Sequence, residues 1–256
     1  MTKIIGILNY NANSFSDGGM YNRVDTAIAK MESLFQQGAD IVDIGASATS
    51  YGANLLSEDQ EIKILACLLN QIDCKNISID TYHYSTMKYA IDLGVSYIND
   101  VTGGKDKRIL ELMAANPQVN YICMYSLVLP ADRDIRIKSV DEIYNWIANK
   151  IAECIKYGIL NERIIIDPGI GFVTNVNQSL EVIRNVEELK KFGVKICIGH
   201  SRKSFFGAMT NQPPQDRDIE TTAASVYMLS KKVDYVRVHN VEMHKRAFKV
   251  FANLLS

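Results

Sequence analysis

Eight short apolar runs, each continuous and each followed by a stretch of different periodicity, constrain this chain more than any other feature. They read "IIGIL", "ADIVDIG", "NISID", "SYIND", "NYICMY", "RIIIDPG", "KICIGHS" and "DYVRVHN". A run without polar alternation suits a parallel strand covered on both faces. Between the runs the period changes to that of a helix. Val24, Ala27, Ile28, Met31, Leu34 and Phe35 mark one face of the first helical stretch, and Ile62, Leu65 and Leu69 mark the second. Ser57 with Gln60 has the spacing of a capping box, as has Ser139 with Glu142 before Ile143, Ile147, Ile151 and Ile155. Gly38, Gly94, Gly158 and Gly193 follow four of these stretches, where a helix ends most easily.

Strand-then-helix units repeated eight times, with no break in composition, predict an α/β chain. The reading is a single-domain (β/α)8 TIM barrel spanning residues 1–256. A doubly wound open sheet is the alternative. It is weaker because no GxGxxG turn follows the first strand. At 47% hydrophobic residues the chain can build a large core. A net charge of −1, with no long run of one sign, predicts neither a nucleic-acid nor a membrane partner. No run reaches the roughly 20 apolar residues of a membrane span, and Ile4–Leu8 is too short for a secretory signal. Five cysteines without a CxxC pair read as buried, reduced thiols, so a cytoplasmic location is expected.

In such a barrel chemistry collects at the C-terminal ends of the strands. The polar residues fall there: Asn9, Asp43, Asp80, Asn99 with Asp100, Asp167, His200 with Ser201, Arg202 and Lys203, and Arg237 with His239. In "YVRVHN", Arg237 and His239 are two apart and share a side, while Val236 and Val238 face the helices. A guanidinium aimed at the barrel mouth needs an anion, either a ligand phosphate or a carboxylate of the protein itself. Asp80 and Asp167 suit adjacent N–H donors such as those of an aminopyrimidine edge. Helix capping for Asp80 and a turn role before Pro168 for Asp167 are the structural alternatives. The first loop is unusually polar for a connection, with Asn9, Asn11, Asn13, Ser14, Ser16 and Asp17 around Phe15.

Seven segments, "GILN…SFSDGG", "DIGASATSYGA", "SIDT", "INDVTGG", "IIIDPGIGF", "SRKSF" and "RVH", give the chain its resemblance to dihydropteroate synthase along almost its whole length. The resemblance implies a transferase of folate biosynthesis. Its substrates would be 6-hydroxymethyl-7,8-dihydropterin diphosphate and p-aminobenzoate. By position it implies that Asp80, Asn99 and Asp167 hold the pterin edge, that Met124 and Phe172 line the slot, and that Lys203 lies along the ring. Arg237 and His239 would bind diphosphate, and Asn9 would contact it or its Mg²⁺. Phe15, Thr49 and Ser201 would border the p-aminobenzoate side. A homodimer is also implied, and the family is a sulfonamide target. Several positions depart from the family pattern. "NANSF" stands for the usual "TPDSF", and Ser50-Tyr51 for Arg-Pro. Val173-Thr174 stands for Gly-Lys, and "YSL" follows Met124 in place of a histidine and glutamine. The departures gather in loops, so a pterin-binding paralogue without synthase activity is one alternative. A reduced-folate methyltransferase barrel is another, and a Schiff-base aldolase through Lys203 is the weakest.

Overall fold

The computed structural model describes residues 2–10, 20–49, 51–132 and 134–255. Phe15 and the other loop-one positions from Asn11 to Gly19, and Ser50, lie outside the described residues. Eight parallel strands, β1 Lys3–Asn9, β2 Ile41–Gly45, β3 Ile77–Thr81, β4 Tyr97–Asp100, β5 Asn120–Met124, β6 Ile164–Asp167, β7 Lys195–Ile198 and β8 Tyr235–Val238, pair in sequence order and close on themselves. The closing pair is β1 with β8, Ile5 opposite Arg237. The helices are α1 Met20–Gln36, α2 Glu58–Leu69, α3 Tyr84–Asp92, α4 Lys107–Ala115, α5 Asp141–Lys156, α6 Val176–Arg184, α7 Val186–Lys190, α8 Ser204–Thr210, α9 Asp218–Ser230 and α10 Val241–Leu255. This is the expected closed barrel; the open sheet is excluded.

The strands are apolar throughout because they are buried twice over. Outward residues such as Val42, Ile44, Val236 and Val238 join the large core beneath the helices. Inward residues form a separate cluster of Ile5, Ile41, Tyr97, Ile122, Ile165, Cys197 and Tyr235. That cluster plugs the barrel. One pleat further along the strands, where side chains return to the same face, the inward residues become Asp43, Asn99, Met124, Asp167 and Arg237. An apolar layer thus lies beneath a polar one, and the polar layer forms the floor of the mouth.

The capping box of Ser57 and Gln60 opens α2 as expected. At α5 the signal is displaced. Glu142 Oε1 accepts the N–H groups of Lys138 and Ser139, and the helix begins at Asp141 after Val140. The four helix-ending glycines, Gly38, Gly94, Gly158 and Gly193, all have positive φ. The polar stretch at residues 210–218 is no idle loop. Arg217 donates Nη1 to the carbonyls of Arg202 and Lys203, fixing the segment that carries Lys203. Among the described residues no helix is long and apolar enough to cross a membrane.

Candidate functional site

Arg237 sits at the centre of the polar layer. Its Nε donates to Asp43 Oδ2 at 2.5 Å and its Nη2 to Asp80 Oδ2 at 2.5 Å. Asn99 Nδ2 donates to the same Asp43 oxygen at 3.0 Å. Burial works against the Arg237 charge, but the two carboxylates outweigh it and hold the guanidinium protonated. Its neighbours are therefore internal carboxylates. Of the two kinds of anion that the sequence left open for Arg237, the protein's own carboxylates are present. Nη1 has no partner among the described residues and remains available. Asp80 caps no helix, since α3 begins after His83. Burial pushes the Asp80 carboxyl up to about 7, opposed by Arg237 and reinforced by the nearby negative charge of Asp43.

Asp43 is the residue that sequence reasoning undervalued, placing it at the rim without a role. It is fully buried, and among the described residues its Oδ1 has no hydrogen-bond partner. The available signal was its phase: Asp43 follows inward Ile41 by two, as Arg237 follows Tyr235.

Asp167 lies across the mouth. Its Oδ1 accepts the Gly169 N–H at 2.8 Å, which is the turn role. Its Oδ2 would lie 3.0 Å from a Cβ placed on Gly199, and the Gly199 backbone N–H also favours the charged carboxylate. Burial raises the Asp167 pKa, and the Lys203 charge opposes it. Gly169 has no freedom to vary. With φ +66° and Tyr125 O only 2.0 Å from its ideal Cβ position, any side chain would collide with backbone. Met124 pairs in register with Asp167 and is almost fully buried.

Lys203 crosses over the loop after β6. Its Nζ donates to Ile170 O and lies 4.4 Å from the centroid of the Phe172 ring, a cation–π contact. Gly171 makes room for it, since a Cβ there would meet Lys203 Cδ at 2.6 Å. Burial depresses the Lys203 pKa to about 8, with Asp167 opposing. Ser201 Oγ accepts the backbone N–H of His239 at 3.2 Å and meets its Nδ1 at 2.9 Å. The hydroxyl can accept that N–H and still either donate to Nδ1 or accept from it. Burial, helped by the charges of Arg202 and Arg237, holds the His239 pKa down to about 4, so the ring is neutral.

Three rim residues turn away from the mouth, each because of strand phase or a nearer partner. Asp100 accepts from Tyr121 Oη at 2.6 Å and from Gly104 N at 2.6 Å, behind the barrel wall. His200 is buried against Ile198 O and Ser225 Oγ. Arg202 forms a two-pronged pair with Asp218. Asn9 ends β1 exposed at the rim. Thr49 offers its carbonyl to Ala131 N at 2.9 Å, pinning the second loop to the loop after β5. Among the described residues no group of three or more His, Cys, Asp or Glu side chains is arranged to hold a metal ion. Asn9 supplies one hard, neutral oxygen. That donor type would suit a hard cation such as Mg²⁺.

The mouth thus combines acceptors for a donor edge, a cation over an aromatic face, and N–H donors on the β8 side. A family model described as "Pterin binding enzyme" matches residues 5–239. Dihydropteroate synthase from Clostridium beijerinckii is 37% identical over 258 residues, covering 97% of this chain and 93% of its own. The structure of dihydropteroate synthase from Anaplasma phagocytophilum with bound 6-hydroxymethylpterin-monophosphate matches with a TM-score of 0.86 at 31% identity, covering 100% of this chain and 99% of that one. That of dihydropteroate synthase from Xanthomonas albilineans with 4-aminobenzoic acid matches with a TM-score of 0.92 at 26% identity, covering 100% and 93%. The chain belongs to the pterin binding enzyme family.

Proposed function

We infer that this chain is a dihydropteroate synthase: it joins 6-hydroxymethyl-7,8-dihydropterin diphosphate to p-aminobenzoate and releases dihydropteroate and diphosphate. The observation that carries the reading is the polar layer of Asp80, Asn99 and Asp167 set on the apolar plug, with Lys203 over Phe172 at its edge. The three acceptors receive the pterin's N–H edge, Met124 and Phe172 bound the slot, and Lys203 lies along the ring. The arylamine nitrogen forms a C–N bond at the exocyclic carbon while the C–O bond breaks. Diphosphate leaves with the electron pair, and the amine proton passes to water. Arg237 Nη1 and the His239 ring would meet the leaving oxygens, where developing charge is stabilised most. Asn9 would hold Mg²⁺, which supplies further neutralisation of diphosphate when bound. Thr49 and Ser201 would border the arylamine, and the resemblance gives Phe15, outside the described residues, the same role. A weak nucleophile of this kind gains more from positioning than from a base.

A cytoplasmic location and a homodimer go with this reading. Five free cysteines support the first. Exposed Ile219, Val250, Leu254 and Leu255 on α9 and α10 support the second.

Purified protein with both substrates and Mg²⁺ is expected to release diphosphate and form dihydropteroate in equal amounts. Pterin binding without diphosphate release would move the chain to the inactive paralogue. The depressed Lys203 pKa adds a second expectation. The ammonium is charged below about 8 and neutral above it. So kcat/KM for the pterin diphosphate should fall as pH rises through that value. Lys203→Arg, which cannot lose its proton there, should abolish the alkaline fall, and an unchanged profile would remove Lys203 from the charge balance.

A further inference from the structure

The second loop, residues 46–57 between β2 and α2, is held at both ends by one side chain. Tyr82 Oη lies 3.1 Å from Leu56 O at the far end of the loop and 3.1 Å from Ser47 Oγ at the near end. A carbonyl oxygen only accepts, so the phenol proton goes to Leu56 O. The Ser47 hydroxyl then donates to Tyr82 Oη, since its other acceptor, Ala48 O, is farther away at 3.5 Å. His83 brings a second donor to the same carbonyl, with Nε2 at 3.0 Å. The two rings lie against each other, their centroids 4.2 Å apart.

The segment that carries these side chains is itself fastened to α2. Thr81 Oγ1 accepts the His83 N–H at 3.1 Å and donates to Oε2 of Glu61, a fully buried carboxylate. Glu58 Oε1 accepts the Ser85 N–H at 2.7 Å. The turn after β3 is thus fixed to the first turn of α2 before either ring reaches the loop. Helix capping does not call for the ring contacts. The N-terminus of α2 is already closed by Ser57 and Gln60, and the His83 side chain makes no cap bond to α3. Further along the loop, Thr49 O accepts the Ala131 N–H at 2.9 Å. Joining Ser47 to Leu56 leaves only residues 48–55 to be ordered between two fixed points, and a shorter closed segment loses less entropy on ordering.

We propose that Tyr82 and His83 are positioning residues for the second substrate. From outside the reacting atoms they tie the two ends of the second loop together and so set the loop, with Thr49, against the arylamine. The proposal rests on the synthase reading.

The test is Tyr82→Phe in the full chain, which keeps the ring and removes the ties at both ends. With pterin diphosphate saturating, KM for p-aminobenzoate should rise about tenfold, as expected for the loss of two hydrogen bonds, while kcat holds. Affinity for a pterin analogue, read by calorimetry, should stay within about twofold. Amide exchange should quicken within residues 47–56 and not elsewhere. Ser47→Ala should reproduce part of the KM rise, and adding it to Tyr82→Phe should raise KM no further, because the partner is already gone. His83→Ala should raise KM less than Tyr82→Phe, since the phenol still holds both ends. An unchanged KM in Tyr82→Phe would overturn the proposal. So would equal losses for p-aminobenzoate and the pterin analogue, or exchange quickened throughout the barrel, because Tyr82 would then only support the fold. If the wild-type protein does not consume p-aminobenzoate, the synthase reading fails separately. Amide exchange then decides the tie alone: quickening confined to residues 47–56 in Tyr82→Phe supports it, and unchanged exchange overturns it.

Discussion

Arg237→Ala should unfold at a temperature on the order of 10 °C below the wild-type protein. The guanidinium holds Asp43 and Asp80 at 2.5 Å each, and Asp43 is wholly buried. Removing one partner of a buried ion pair leaves an uncompensated charge and costs about 3–5 kcal/mol. For a chain of this size each kcal/mol lowers Tm by about 2–4 °C. The loss should depend on pH in a definite sense. The Asp80 pKa is already raised by burial, and losing Arg237 removes the strongest opposing charge. The folded variant then binds more protons at Asp80 than the unfolded chain does, from about pH 4 to beyond 7. Stability therefore falls as pH rises through that window. Arg237→Ala should be closest to wild type near pH 5 and furthest from it near pH 8. Adding Asp43→Asn should recover part of the loss by removing one of the two stranded charges. Ligand binding separates the second role. Pterin diphosphate should lose more affinity than diphosphate-free hydroxymethylpterin if Nη1 reaches the leaving group. Equal losses, with thermal scans as predicted, would make Arg237 a structural residue alone.

What the sequence disclosed follows from which interactions are local. A parallel strand buried on both faces has to be apolar along its length, so all eight runs were visible. Alternation within a strand placed Arg237 on the inner face beside an apolar neighbour layer. It could not say which acids meet it, since Asp80 and Asp43 lie 157 and 194 residues away in sequence. Barrel closure and stagger decide that pairing, and no local pattern encodes them. Asp100 and His200 were assigned to the mouth by position at a strand end; counting the phase from Tyr97 would have turned Asp100 outward. Tyr82, His83 and Arg217 act from irregular segments, where no periodicity exists to mark them. They meet backbone carbonyls, which every residue has and no residue type reveals.

Asp167→Asn should weaken binding of a pterin analogue roughly ten- to a hundredfold while leaving the fold intact. The substitution keeps shape but converts one acceptor into a donor. Oδ1 is committed to the Gly169 N–H, and Oδ2 lies against Gly199, whose N–H also favours the charged form. If the new amide keeps its oxygen on Gly169, its NH₂ meets the ligand's N–H donors. If it flips, the NH₂ meets the Gly169 N–H instead. Either orientation leaves one donor unsatisfied in a buried place, a penalty of about 1–3 kcal/mol. The wild-type carboxylate adds a pH signature. Burial raises its pKa, so acidification protonates it sooner than an exposed aspartate and removes the acceptor the ligand needs. Wild-type affinity should therefore decline as pH falls, while the uncharged asparagine variant has no such dependence from this position. Calorimetry of both proteins from neutral pH downward reads the two effects together. Equal affinity at neutral pH, or parallel pH profiles, would take Asp167 out of the pterin edge and leave it the turn that it already makes with Gly169.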